Sequence, residues 1–336
     1  MNRFIKYVLF VILIIILCAF RKITISNTPP DNTFKFGNFI VISSYDDDNL
    51  CSGIQIKGMI DTFRKYYILP KRIIYIQFRK KNRTQEERIK IVDEIVERFK
   101  NVDYFIVVDD LAFRYFAQKI GNKKLIYFTG INNPVNEYKD FLELFKWCGI
   151  EENYNINKLK SYLSRNYIYP SKYVILYDLN TATSQTIVKA WEDFINRNTN
   201  IELIPIETIS DLQSISLKYN NKKGIIIISV ILSLKDNYTE NLLPMINTSK
   251  IVRTYLNKAF LVGINPVQIL YGYDMVITAD FYNMGVEVAK MSNKKMCYVK
   301  KSKTYILING KWKNKFIVNG NHDLKIIFEN KNSGGY

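Results

Sequence analysis

The run Asp103-Tyr-Phe-Ile-Val-Val-Asp109-Asp110, residues 111–118, Leu125-Ile-Tyr-Phe128 and Thr129-Gly-Ile-Asn132-Asn133-Pro134 read in turn as strand, acidic loop, helix, strand and polar loop. Neither apolar run alternates with polar residues, so each strand is expected to be covered on both faces, as in a parallel sheet between helices. Ligands of such sheets sit beyond the carboxyl ends of the strands. Asp109-Asp110 and Asn132-Asn133 fall at two such ends and are the first candidates for a binding site.

The same rhythm extends in both directions. Phe39-Ile-Val-Ile-Ser43 predicts a buried strand, and residues 54–67 a helix with Ile56, Met59, Ile60 and Phe63 on its apolar face. A strand over 73–78 and an amphipathic helix over 85–99 follow, and Trp147-Cys-Gly-Ile150 reads as a short crossing segment. A second series then begins: a helix over 157–166, the strand Tyr173-Val-Ile-Leu-Tyr177, a polar loop ending in Thr183-Ser184, and a helix from 185. Gly224-Ile-Ile-Ile-Ile-Ser229 is another buried strand, and Phe260-Leu-Val-Gly263 and Met275-Val-Ile-Thr278 are short ones. Tyr305-Ile-Leu-Ile308 with Asn309-Gly310 predicts a β-hairpin, with one more strand near 324–328.

A chain of 336 residues suits two lobes of about 150 residues each. With 48% hydrophobic residues it can fill packed cores, which excludes disorder. The net charge of +17 raises the question of nucleic acid. However, the basic residues are spread along the chain without a basic helix or an aromatic-rich motif, so a lysine-rich surface with no nucleic-acid partner is the reading. Residues 1–22 combine Arg3 and Lys6, an uncharged stretch of fourteen residues from Tyr7 to Phe20, and Arg21-Lys22. That length suits a signal peptide better than a full span of about 20 residues. Leu17 ahead of Cys18 is a poor lipidation or cleavage context, so an uncleaved amino-terminal anchor is the alternative. Cys51, Cys148 and Cys297 have no metal-like spacing; a disulfide is permitted in an exported protein, and buried thiols are the simpler expectation.

Three segments together resemble the solute-binding proteins of ABC transporters, in the type I periplasmic binding class and near its tryptophan- and tyrosine-binding members. They are Phe128-Thr-Gly-Ile-Asn-Asn-Pro-Val135, Ile175-Leu-Tyr-Asp-Leu-Asn-Thr-Ala-Thr-Ser184 and Thr278-Ala-Asp-Phe-Tyr-Asn-Met-Gly285, and the likeness spans roughly residues 38–295. Asn133 stands where the family usually has aspartate. Asp109-Asp110 and Ser43-Ser44-Tyr45 make the first lobe more similar to the ligand-sensing ectodomains of sensor kinases. The resemblance implies an α/β, two-lobe fold, each lobe a parallel sheet flanked by helices. It also implies hinge closure on a small polar solute, such as an amino acid, and a permease partner. The implied division is a leader at 1–22, a linker at 23–37, a first lobe at 38–148 with 279–295 returning to it, a second lobe at 149–278, and a tail at 296–336. A membrane-anchored sensory ectodomain with a separate signalling partner is the alternative function.

Ser44, Tyr45, Asp46, Asp109, Asp110, Asn132, Asn133, Thr183, Ser184 and Asp280 are the candidate ligand-binding residues. Thr183 and Ser184 would form an anion site at a helix start, or a plain cap. Asp109 and Asp110 would meet an ammonium or hydroxyls, or cap the helix from Leu111, with Arg114 placed to satisfy Asp110. Tyr45 could stack on a ring, or stand on the surface. Asp46 belongs to an acidic run without calcium-loop spacing. Asn132 and Asn133 offer donors and acceptors, or a turn before Pro134. Asp280 is a ligand contact or a hinge residue. His322 is the single histidine, and no phosphate loop or nucleophile elbow occurs, so no catalytic residue, metal or cofactor is expected. The protein is expected to be a monomer, not an enzyme, and to lie on the extracytoplasmic side of a membrane.

Overall fold

A computed structural model of the chain describes residues 34–45, 50–78, 84–121, 123–132, 147–166, 168–312 and 324–328. The chain first lays down β1 (Lys35–Ser43), α1 (Leu50–Lys65), β2 (Ile68–Tyr75), α2 (Gln85–Arg98), β3 (Tyr104–Val108), α3 (Asp110–Ile120), β4 (Leu125–Asn132) and β5 (Trp147–Glu152). It continues through α4 (Ile156–Arg165), β6 (Lys172–Asp178), α5 (Ala182–Ala190), α6 (Glu192–Asn196), β7 (Ile201–Ile206), α7 (Ile209–Tyr219), β8 (Ile225–Val230), α8 (Met245–Tyr255), β9 (Phe260–Gly263) and β10 (Met275–Ala279). It ends with α9 (Phe281–Asn293), β11 (Val299–Lys301), β12 (Thr304–Asn309) and β13 (Leu324–Phe328). Two compact units result: Met1–Glu151 with Phe281–Lys301, and Glu152–Asp280 with Ser302–Tyr336. The expected leader, and the expected linker up to residue 33, lie outside the described residues; residues 35–37 of that linker are instead the start of β1, which lies beside β2. Among the described residues, no helix is long and apolar enough to cross a membrane.

The first unit holds a sheet in the order β11-β5-β4-β3-β1-β2. Strands β2, β1, β3 and β4 pair in parallel, as β5 does with β11. Ile40, Ile42, Phe105, Val107 and Phe128 are buried with Phe113 and Phe116 of α3, so the continuous apolar runs have the two-sided cover they require. Trp147-Cys-Gly-Ile150, expected as a crossing, is a strand of this sheet. Trp147, Cys148 and Ile150 are buried there, and the unit boundary falls after Glu151. Cys148 and Cys297 form a disulfide, which corrects the expectation of buried free thiols, while Cys51 takes no part in a disulfide among the described residues. The returning helix α9 packs on α1 at two glycines. A Cβ on Gly58 would lie 2.2 Å from Tyr282 O, and one on Gly285 would lie 1.9 Å from Gln55 O. Only glycine permits backbones to approach this closely.

The second unit holds a sheet in the order β13-β12-β10-β9-β8-β6-β7. Strands β7, β6, β8, β9 and β10 run parallel, and β12 is antiparallel to β10. Ile175, Ile228, Val262 and Ile277 line one buried face, against Leu159, Ile187 and Trp191. At the expected hairpin turn, Gly310–Trp312 is a short 3-10 turn; residues 313–323, where the returning strand was expected, lie outside the described residues, and the later strand β13 pairs with β12 in parallel. The buried carboxylate of Asp274 accepts from Trp312 Nε1 at 2.8 Å and binds Lys311 Nζ at 2.6 Å, tying this turn to the residue ahead of β10.

Candidate functional site

In the first unit, Ser43 pairs with Val108 and Val108 with Thr129, so β1, β3 and β4 end side by side. Ser44 follows β1 directly and is buried. Its hydroxyl donates to Val108 O at 3.1 Å and accepts from Ala112 N at 2.8 Å. It therefore caps α3 from a neighbouring strand, a role the local sequence around α3 could not reveal. Asp109 occupies the cap position itself, yet its side chain makes no cap bond, and its backbone lies at φ 72°. Its carboxylate faces Gln55, whose Oε1 accepts from Thr129 Oγ1 at 2.8 Å. Gln55 and Thr129 thus join the candidate site. They were hidden because a glutamine on a helix and a threonine in a strand carry no motif.

Asp110 and Asn132 are brought together. The Asn132 backbone N donates to Oδ1 and its Nδ2 donates to Oδ2, both at 2.9 Å. This two-pronged contact orients a half-buried carboxylate at the strand ends. Tyr45 is half-buried, with its N donating to Ser43 Oγ at 3.3 Å. Asp46 and Asn133 lie outside the described residues.

In the second unit, α5 begins at Ala182 rather than at residue 185, so Thr183 and Ser184 sit within its first turn. Thr181 is the cap, accepting from Ser184 N at 3.3 Å. Ser184 is buried, and its hydroxyl donates to Val230 O at 2.6 Å and accepts from Asp178 N at 2.9 Å. Thr183, the other residue of the expected pair, is half-buried in the same turn. Asp178 organises the loop: it accepts from Thr181 N at 2.7 Å, Leu232 N at 2.7 Å and Thr181 Oγ1 at 3.1 Å. Burial raises its pKa above the usual carboxylate value, against the lowering effect of those hydrogen bonds. Asp280 is the last residue of this unit before the chain returns to the first, and its N donates to Lys303 O at 2.9 Å. Among the described residues no group of three or more His, Cys, Asp or Glu could hold a metal ion.

The fold matches that of a substrate-binding protein with adhesive properties from Clostridium difficile, in its ligand-free, open form. That match covers 86% of this chain and 98% of the other, with TM-score 0.64 and 14% identity. It also matches an ABC domain in complex with L-Trp from Streptococcus pneumonia, with TM-score 0.57, 14% identity and coverage of 84% and 95%. A glucose-galactose binding protein from Geobacillus stearothermophilus matches at TM-score 0.53 and 15% identity, over 82% and 98%. No protein-family model and no curated protein matches the chain. At these identities the likeness is one of fold. The chain has the two-lobe α/β fold of periplasmic binding proteins, each lobe a largely parallel sheet flanked by helices.

Proposed function

We infer that the chain is the extracytoplasmic solute-binding component of an ABC transporter, taking a small polar solute at the carboxyl ends of its strands. The observation that supports this most directly is the Asp110 carboxylate, oriented by Asn132 and half-buried where ligands of parallel sheets bind. Tyr45 is the further proposed contact in the same unit, and Thr183 is the candidate of the second unit taken by itself; the hydroxyls of Ser44 and Ser184 serve the protein's own backbone. A carboxylate so held selects a solute that presents an ammonium group or clustered hydroxyls, and an amino acid is the first class to test. Structures of this fold bound to L-Trp and named for glucose and galactose fit both chemistries. The Cys148–Cys297 disulfide agrees with an oxidising compartment.

A thermal-stability screen against amino acids, sugars, nucleosides and small carboxylates tests the proposal. A ligand at 100 times its dissociation constant adds about 2.7 kcal/mol, a shift of several degrees. Silence across the panel would remove the support for solute binding. Mass analysis of the exported chain separates transport from sensing: loss of about the first 20 residues agrees with a released binding protein, and their retention with an anchored ectodomain.

A further inference from the structure

The end of α9 and the strand β11 form one continuous basic segment, Lys294-Lys-Met-Cys-Tyr-Val-Lys-Lys301, with no acidic residue in it. The helix closes in a left-handed turn at Lys295, φ 52°, with Met296 N donating to Met291 O at 3.0 Å. The chain then passes the disulfide-bonded Cys297 and runs as β11 along the outer side of β5, at the edge of the sheet. Lys294, Lys295, Lys300 and Lys301 are all exposed. Between them stand Met296, Tyr298 and Val299, with 36%, 41% and 39% of their surface open. Nearby, Glu287 is shared by Lys300 at 3.0 Å and Lys290 at 3.1 Å, so it offsets only part of this charge.

Two ordinary roles explain the lysines alone. Charged residues on an edge strand prevent unwanted pairing, and cations at a helix carboxyl end complement its dipole. Neither role calls for an aromatic and two aliphatic side chains exposed among the lysines. That mixture matches an anionic lipid surface: ammonium groups meet headgroup phosphates while Tyr298, Met296 and Val299 enter the boundary with the acyl chains. We propose that residues 294–301 are a docking surface for an anionic bilayer. The basic and apolar leader expected from the sequence supplies a membrane as the neighbouring surface. The proposal does not depend on which solute is bound.

The test is cosedimentation of the full chain with vesicles of phosphatidylglycerol and phosphatidylcholine, and with phosphatidylcholine alone, over a range of salt. Any contribution from the leader, including the salt dependence given by its own basic residues, is common to all variants, so the comparison is between variants. Replacing Lys294, Lys295, Lys300 and Lys301 by Gln is expected to lower partitioning onto the anionic vesicles about 10- to 100-fold and to flatten its salt dependence. A charge-matched control, with Lys189, Lys222, Lys223 and Lys258 replaced by Gln, is expected to change it less than about threefold. Met296→Ser with Tyr298→Ser is expected to weaken partitioning while leaving the salt dependence in place. Equal losses from the two lysine sets would overturn the proposal in favour of non-specific charge. Capture on immobilised polyglutamate that needs the segment's lysines, without partitioning onto vesicles, would overturn it in favour of an acidic protein partner.

Discussion

Cys148 of β5 and Cys297, just ahead of β11, are joined by a disulfide with their Cα atoms 4.9 Å apart. They are 149 residues apart in sequence, and the bond ties the returning segment of the first unit to the strand that precedes its departure. A cross-link over so long a loop chiefly restricts the unfolded chain. Replacing both cysteines by Ala, or reducing the bond, is expected to lower stability by about 2–5 kcal/mol. Denaturant unfolding with and without reductant measures this; coincident curves would show that the bond contributes nothing.

Asp274 is 3% exposed at its side chain, where it meets Arg253 Nη1 at 3.3 Å and Lys311 Nζ at 2.6 Å. Its Oδ2 also accepts from Leu261 N at 2.8 Å. Asp274→Ala would strand two cations and a buried amide, at an expected cost of about 3–5 kcal/mol. Because Trp312 Nε1 donates to the same carboxylate and its ring lies 5.4 Å from that of Phe260, the fluorescence of Trp312 should change as well. Urea unfolding followed by tryptophan emission reads both effects.

Glu202 is held by Lys172, by Tyr219 Oη at 2.6 Å and by Lys218 at 3.0 Å. The Lys172 contact first, then Tyr219, brings its pKa down from 4.5 to about 2. A depressed carboxylate pKa stabilises the fold above the unfolded value, and that stabilisation is lost as pH falls through the folded one. Solvent screening at this surface limits it to about 1 kcal/mol. Glu202→Gln should therefore be less stable than the parent near neutral pH. The difference should shrink between pH 4.5 and about 2, which melting curves across that range would show.

Gly58 and Gly285 sit where α1 and α9 touch, with backbone carbonyl oxygens in the space a side chain would take. Either one changed to Ala must push the helices apart. The expected loss is about 2–4 kcal/mol from Gly58→Ala, at the upper end of single-substitution effects. Thermal unfolding measures it, and an unchanged melting temperature would mean that the helices separate without cost.

If Asp110 receives a donor group of the solute, Asp110→Ala should weaken binding by about 1–3 kcal/mol. Ser44→Ala, which removes the cap of α3, should instead lower stability by about 1 kcal/mol and leave affinity nearly unchanged. Titration calorimetry with a solute found in the screen, alongside melting curves, separates the two. Equal affinity in the Asp110 variant would remove that residue from the site.

Most of the strands were legible because two-sided burial writes itself into sequence as an uninterrupted apolar run, whereas β5, read as a crossing, and the exposed edge strand β11 were not. Phe39-Ile-Val-Ile, Tyr104-Phe-Ile-Val-Val and Ile225-Ile-Ile-Ile needed no partner to be recognised. The positions of Asp110 and Asn132 at strand ends followed from the same runs. The partners of the polar groups did not follow. Ser44 and Ala112 are 68 residues apart, and Thr129 and Gln55 are 74 apart, so only the parallel pairing of β1, β3 and β4 makes them neighbours.

Local chemistry thus determined the α/β class, the two series of elements and the loops where polar residues collect, since each depends on residues within a few turns of one another. The tertiary structure decided that Ser44 became an internal cap, which cysteines joined, why Gly58 and Gly285 must be glycine, and that Asp274 gathers Arg253, Lys311 and Trp312. Each of these is a contact between segments far apart in the chain, made only when the sheets bring strand ends and helix faces within bonding distance.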